Sequence, residues 1–148
     1  MLEQKRDFLF SIRPEYAHLI VEGEKTVELR RRFTLNATAG ALALIYCTSP
    51  TQAIIGFARI KKVELLPVDT LWSKHGKRAR INEADFDSYF LGRDDGYAIL
   101  FDKAVRFEKQ IAASKLRKKF GFVAPQSFVY LTPEYYSLLE HDQLQTTH

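Results

Sequence analysis

Cysteine is nearly absent. Cys47 is the only one in 148 residues, so the chain can form no internal disulfide. A single thiol cannot build a cysteine-rich zinc site, and as a nucleophile it would need a histidine beside it. Its place after the apolar run Ala41 to Tyr46 reads instead as a small buried hydrophobe. The four histidines (His18, His75, His141 and His148) form no HxH or HxxxH spacing, so no metal site is expected. No apolar run approaches the roughly 20 residues of a membrane span. The charged start, Met1 to Asp7, has no signal-peptide pattern behind it. A cytoplasmic protein without membrane contact is the expectation. Neither a G-x-G-x-x-G fingerprint nor a Walker-type glycine loop is present, and no cofactor is expected.

What is there suits a globular protein. The length fits one domain, residues 1–148, with a frayed tail from about residue 141. The apolar share of 46% and charged share of 27% are ordinary and argue against wholesale disorder. The net charge of +4 is mild. It suits a polyanionic partner without demanding one. The cations are unevenly spread, at Arg30-Arg31-Arg32, from Lys74 to Arg80, and from Lys115 to Lys119. Each cluster alone reads as a solvated face. Three on one side of the molecule would make an anion-binding surface.

The pattern along the chain is mixed. Phe8 to Ile12 reads as a short buried strand. Pro14 opens a helix over residues 13–22, with Glu15 in its first turn and Gly23 as its stop. Thr26 to Arg32 reads as a second strand, with Val27 and Leu29 facing one way and Thr26, Glu28 and Arg30 the other. Leu42 to Tyr46 is apolar enough to be buried on both faces. Ala53 to Leu66 is a long or bent strand in which Gly56 marks a bulge or close approach. Pro67 to His75 forms a short helix anchored by Leu71 and Trp72. Asn82 caps another, carrying Phe86, Tyr89 and Phe90 and ending at Gly92. Tyr97 to Phe107 is a strand broken near Asp102-Lys103. Ala112 to Phe120 is a basic helix stopped by Gly121, and a last helix runs from about Pro133 to Glu140. Short strands with helical inserts predict an α+β fold built on a small barrel, not a doubly wound sheet.

Functional side chains are densest from Gly23 to Arg30. Gly23 lets the chain reverse after the first helix. Lys25, Glu28 and Arg30 then crowd one rim. The carboxylate can accept from a base amino group while the two cations supply donors to phosphate. If burial lowers the lysine pKa, the same group can do acid–base work. An edge strand with alternating charges is the plainer alternative.

The run Ser11-Ile12-Arg13-Pro14-Glu15-Tyr16, followed by Gly23-Glu24-Lys25-Thr26-Val27-Glu28-Leu29-Arg30, closely resembles the opening of ASCH domains of the PUA-like superfamily. Every fixed position of the family's G-x-K-x-x-E-x-R run is matched. Ile45 to Pro50 with Ile54-Ile55-Gly56, and Pro125 to Leu131, resemble later family segments, so the likeness spans nearly the whole chain. It implies a small PUA-like β-barrel with flanking helices and a cleft beside the first helix. It further implies a nucleic-acid-binding module, with RNA, another nucleic acid or a nucleotide as partner, here taken to act as a monomer. The residues carried over are Lys25, Glu28 and Arg30. Ser11, Arg13, Thr48 and Ser49 are placed by position near the same mouth, although Ser11 and Thr48 also suit a helix cap or turn bond. Arg31, Arg32, Lys77, Arg78 and Arg80 are candidates for peripheral phosphate contacts.

The resemblance also carries an enzymatic alternative. One branch is similar to an amidohydrolase of acetylated cytidine that uses a lysine, a threonine and a glutamate. Lys25 matches the lysine, but Glu28 stands at the threonine position. The loop from His75 to Arg80 holds no acid, which leaves only Glu83 or Asp85 nearby. For a ribonuclease, Lys25 and Glu28 are the acid–base candidates. Tyr46, Tyr97 and Tyr130 are candidate stacking platforms, with core packing the better reading of the first two.

Overall fold

A computed structural model describes residues 6–142. Eleven elements follow in order: β1 (Phe8–Ile12), α1 (Pro14–Val21), β2 (Val27–Arg30), β3 (Ala41–Cys47), β4 (Ala53–Pro67), α2 (Val68–His75), α3 (Glu83–Tyr89), β5 (Asp95–Ala112), α4 (Ala113–Phe120), β6 (Phe128–Tyr130) and α5 (Pro133–Asp142). The expected frayed tail lies, from residue 143 onward, outside the described residues. No helix among the described residues is long and apolar enough to cross a membrane.

The local signals act as their chemistry requires. Pro14 opens α1, and Gly23 just past its end takes φ 78°. The Asn82 side chain caps α3 by accepting from the Asp85 amide at 2.8 Å. Gly121 ends α4 in the left-handed conformation. The six strands form one sheet in the order β2-β5-β4-β3-β1-β6, parallel only between β1 and β3. The long β4 and β5 pair from Ala53–Ala112 to Pro67–Asp95 with three register shifts. Such irregularities bend and twist a ladder, which curls the sheet into a half-barrel.

The core has three parts. Phe8, Phe10, Ile12 and Ile45 pack with Ile20 of α1. Leu9, Leu42, Leu44 and Tyr46, on the opposite sheet face, pack with Leu116 of α4 and with Tyr135 and Leu139 of α5. Val27, Leu29 and Ala98 pack beneath Leu71 of α2, Phe86 of α3 and Phe90 just past the end of α3. β1 and β3 are therefore buried on both faces, and Cys47 is a buried free thiol. Gly56 is the close-approach point its position suggested. A Cβ there would collide with the Val105 carbonyl and lie 2.8 Å from Cγ1 of Val21 in α1.

Two strand boundaries differ from the sequence reading. The second strand stops at Arg30, not Arg32, because the Arg31 amide donates to the Tyr89 hydroxyl at 3.2 Å instead of to β5. The strand expected over Tyr97 to Phe107 runs from Asp95 to Ala112 because β4 pairs with it throughout. The break expected near Asp102-Lys103 survives as a register irregularity, with Lys103 at φ 50°.

Candidate functional site

A cleft of about 770 Å³ opens between α1, β2 and α3, with residues 125–127 closing one side. Its floor comes from the turn after α1. Positive φ at Gly23 folds the chain back, so that the amides of both Glu24 and Lys25 donate to the Leu19 carbonyl. Lys25 is thereby turned inward and is only 4% exposed. Its ammonium donates to the Ala79 carbonyl, lies 3.4 Å from Glu28 Oε1, and sits 5.0 Å from the centre of the Tyr16 ring. Removal from water pushes the Lys25 pKa below its ordinary value, while the charge of Glu28 pulls it back up. Burial is also the main cause of the raised Tyr16 pKa.

Glu28 holds two cations. Its Oε1 faces Lys25 and its Oε2 accepts from Arg30 Nε at 2.9 Å. The rest of the Arg30 fork reaches across the mouth of the half-barrel. One terminal nitrogen donates to the Ser127 hydroxyl at 3.0 Å, and the other donates to the Ser11 carbonyl at 3.1 Å. β2 is an edge strand by sheet order, yet all four of its residues are buried. The charges of Glu28 and Arg30 face a shared interior and not an exposed edge. The Ser11 hydroxyl, in the same wall, is buried and has no hydrogen-bond partner among the described residues.

The structure brings together Ser11, Arg13, Lys25, Glu28, Arg30, Arg31 and Thr48 on this cleft. Ser49 is exposed and outside the wall, because the turn after β3 points it to solvent. Arg32 lies instead on a smaller adjoining pocket. The side chains of Lys77, Arg78 and Arg80 are off the cleft. Their loop contributes backbone instead, through the Ala79 carbonyl and through the Arg78 carbonyl, which accepts from the Thr26 amide at 3.2 Å. The basic face of α4 is likewise absent from the wall, so only the first of the three basic clusters reaches the cleft. Of the two acids considered for an amidohydrolase, Asp85 lines the cleft and Glu83 does not.

Sequence spacing does not flag Tyr16, Ser88, Tyr89, Gln126 or Ser127, all on the wall. The helical spacing of Tyr89 suggests packing alone. It does pack edge-on against Phe90, but its ring also carries Arg31 at 4.7 Å. Ser127 lies 97 residues from Arg30 in the chain, so no local spacing could link them. Among the aromatic candidates, Tyr46 is core and packs on Phe122. Tyr97 is half-buried, and Tyr130 is exposed with Arg6 over its ring, away from the cleft.

The ASCH domain family matches residues 10–128. The chain belongs to the ASCH domain family. An ASCH domain-containing ribonuclease of Zymomonas mobilis is 34% identical over 134 residues, covering 90% of this chain and 89% of that protein. The crystal structure of the ASCH protein from Zymomonas mobilis superposes with a TM-score of 0.88 at 33% identity, over 94% of this chain and 97% of that one. Human THYN1, solved in complex with 5-methylcytosine-containing DNA, shares the fold alone, at a TM-score of 0.53 and 15% identity over 91% of this chain and 95% of that one. This ASCH domain therefore has the α+β, PUA-like architecture that its Gly23 to Arg30 run implied.

Proposed function

We propose that this ASCH domain binds RNA through the cleft and cleaves it as a ribonuclease. The observation that carries the reading is Lys25, a desolvated amine on the floor of an open cleft, in a chain 34% identical to a protein described as a ribonuclease. Cleavage by internal transesterification needs a base for the 2′-hydroxyl. Its oxygen then attacks phosphorus, the bond to the 5′-oxygen breaks, and a proton ends on that oxygen. An amine whose pKa is lowered toward neutrality serves such transfers better than an ordinary lysine. Glu28 keeps Lys25 in place and Arg30 keeps Glu28 in place. Arg13 and Arg31, both exposed on the cleft wall, offer donors to phosphate oxygens.

The test is cleavage of an end-labelled single-stranded RNA by wild type and by Lys25→Met, with a 2′-deoxy substrate as control. Wild type is expected to cut the RNA and not the deoxy strand, and Lys25→Met to bind without cutting. Undiminished cleavage by Lys25→Met overturns the assignment of Lys25.

A reading without turnover has one observation in its favour. Both oxygens of Glu28 and all three Arg30 nitrogens are already engaged within the protein. RNA binding at low salt with no cleavage of any substrate would select it. Absence of binding at low salt would remove both readings.

A further inference from the structure

Beside the cleft lies a second pocket of about 360 Å³, lined by Arg30, Arg31, Arg32, Tyr89, Arg93 and Ser127. It shares four of these with the cleft, namely Arg30, Arg31, Tyr89 and Ser127, so the two spaces adjoin through a common wall. Four of its six lining residues are arginines and none is acidic. Arg30 is spent on Glu28, Ser127 and Ser11. Among the described residues, Arg31, Arg32 and Arg93 pair with no carboxylate. The exposed cations Lys62, Lys74 and Arg106 do find carboxylates.

The pocket is also held in shape. Arg31 lies on the Tyr89 ring at 4.7 Å, and its amide donates to the hydroxyl of that tyrosine at 3.2 Å. Arg93 donates to the Arg31 carbonyl at 2.8 Å with one terminal nitrogen, leaving the remaining donors of its fork uncommitted. Three like charges held near one another repel and repay nothing in stability unless an anion joins them. Guanidinium groups bind the oxygens of a phosphate through parallel hydrogen bonds that a carboxylate-free pocket leaves available.

We propose that this arginine pocket is a phosphate subsite. It takes the phosphate of the nucleotide next to the one in the cleft, with Arg32 and Arg93 as the ligating side chains and Arg31, stacked on Tyr89, as the divider between the two sites. The inference rests on the RNA-binding reading and gives it a direction: the strand leaves the cleft past Arg31 toward Arg93. The phosphate is an internal phosphodiester or a terminal monoester, which present the same oxygens to the fork.

A short single-stranded RNA, 2′-O-methylated so that wild type cannot cut it and carrying one neutral methylphosphonate linkage moved position by position, tests this by equilibrium binding to the full chain. With wild type, one position outside the cleft nucleotide is expected to weaken binding on the order of tenfold, the loss of a charge-assisted contact. With Arg32→Ala or Arg93→Gln, binding of the same RNA without the neutral linkage weakens similarly, the salt slope falls by about one, and that methylphosphonate costs nothing more. Arg93→Lys, which keeps the charge and a donor for the Arg31 carbonyl, should recover part of the loss. Oligonucleotides ending in a 5′-phosphate, a 3′-phosphate or a hydroxyl separate the two phosphate sources, since only a terminal site distinguishes them. If wild type binds RNA but Arg32→Ala and Arg93→Gln match it in affinity and salt slope, the subsite is overturned while the cleft reading stands. If wild type binds no RNA at low salt, both fall.

Discussion

Arg30 donates to the Ser11 carbonyl at 3.1 Å, joining β2 to β1 although β5, β4 and β3 lie between them in the sheet. A sheet of six strands has two edges, and here a single guanidinium ties one edge to the region of the other. Ser127, just before β6, receives the same fork. Arg30 is thus a clasp across the open side of the half-barrel. Arg30→Ala should cost about 3 kcal/mol, because it leaves Glu28 buried with half its partners gone. Arg30→Lys should recover little, since an ammonium cannot span three acceptors in one plane. Replacing Lys25, Glu28 and Arg30 together by Met, which leaves no buried charge unpaired, should cost less than Arg30→Ala alone. Urea unfolding of the three variants checks the order.

Lys25 predicts a pH dependence. Its folded pKa is below the ordinary 10.5, with burial the first cause. If its neutral amine is the base, the cleavage rate should rise with pH and level off below 10.5, and Lys25→Met should flatten the profile. The stability effect has a matching sign. Between the lowered folded value and 10.5 the unfolded chain binds more protons than the folded one, so this lysine's contribution improves as pH rises through that window. Below the window the cost of the buried ammonium is fully present. Subtracting the Lys25→Met unfolding free energy from that of wild type, pH by pH, isolates the effect. A difference independent of pH across this range would contradict it.

Much of this was legible in the sequence, and the limits have physical causes. Gly23 and the G-x-K-x-x-E-x-R run placed the cleft floor because turn, lysine and carboxylate are neighbours in the chain. Gly56 was readable because a glycine inside an apolar strand weakens it, and a bulge or a close backbone approach is what offsets that loss. The direction of the arginines was not readable. Arg30 reads as a rim cation until Ser11 and Ser127 are brought to it by the curl of the sheet. Arg93 falls between the helix that ends at Gly92 and the strand that begins near Tyr97, and only the folded chain sets it against Arg31. The segment from Lys74 to Arg80 was legible as charge alone: its cationic side chains stay off the cleft, and what it gives the cleft is the Ala79 carbonyl that receives Lys25.

That segment is anchored where it leaves α2 by a second charged group. Glu64 on β4 accepts from His75 Nε2 at 2.7 Å and from Lys74 at 2.9 Å, with Lys62 at 3.2 Å. The hydrogen bond from His75, followed by that from Lys74, holds the Glu64 pKa down to about 2. A carboxylate lowered from 4.5 contributes stability that is complete above 4.5 and is lost as pH falls toward 2. Glu64→Gln should therefore be less stable than wild type at neutral pH, and the two should converge in acid. Because the Ala79 amide donates to the His75 carbonyl at 2.9 Å, the same variant should loosen the segment that receives Lys25. Amide hydrogen exchange over residues 76–80 should speed up in Glu64→Gln, and unchanged protection would separate the cluster from the cleft.

Two glycines should respond differently to the same methyl group. At Gly92, with φ 79° and nothing within 4 Å of an added Cβ, alanine meets only backbone strain, worth about 1 kcal/mol. At Gly56 the backbone is not left-handed, but the added Cβ would strike the Val105 carbonyl of β5 and crowd Val21 of α1. A carbonyl in a paired strand cannot swing aside as a side-chain end can, so relief must come from parting β4 and β5 or lifting α1. Gly56→Ala should then cost about 3 kcal/mol, the upper end of ordinary overpacking. It should also weaken RNA binding although it lies behind the cleft, because α1 carries Tyr16 and follows Arg13. Thermal unfolding ranks the two variants, and binding by the folded fraction separates displacement of α1 from simple loss of native protein. Equal stability losses at the two positions would show that the space behind α1 yields more easily than its packing indicates.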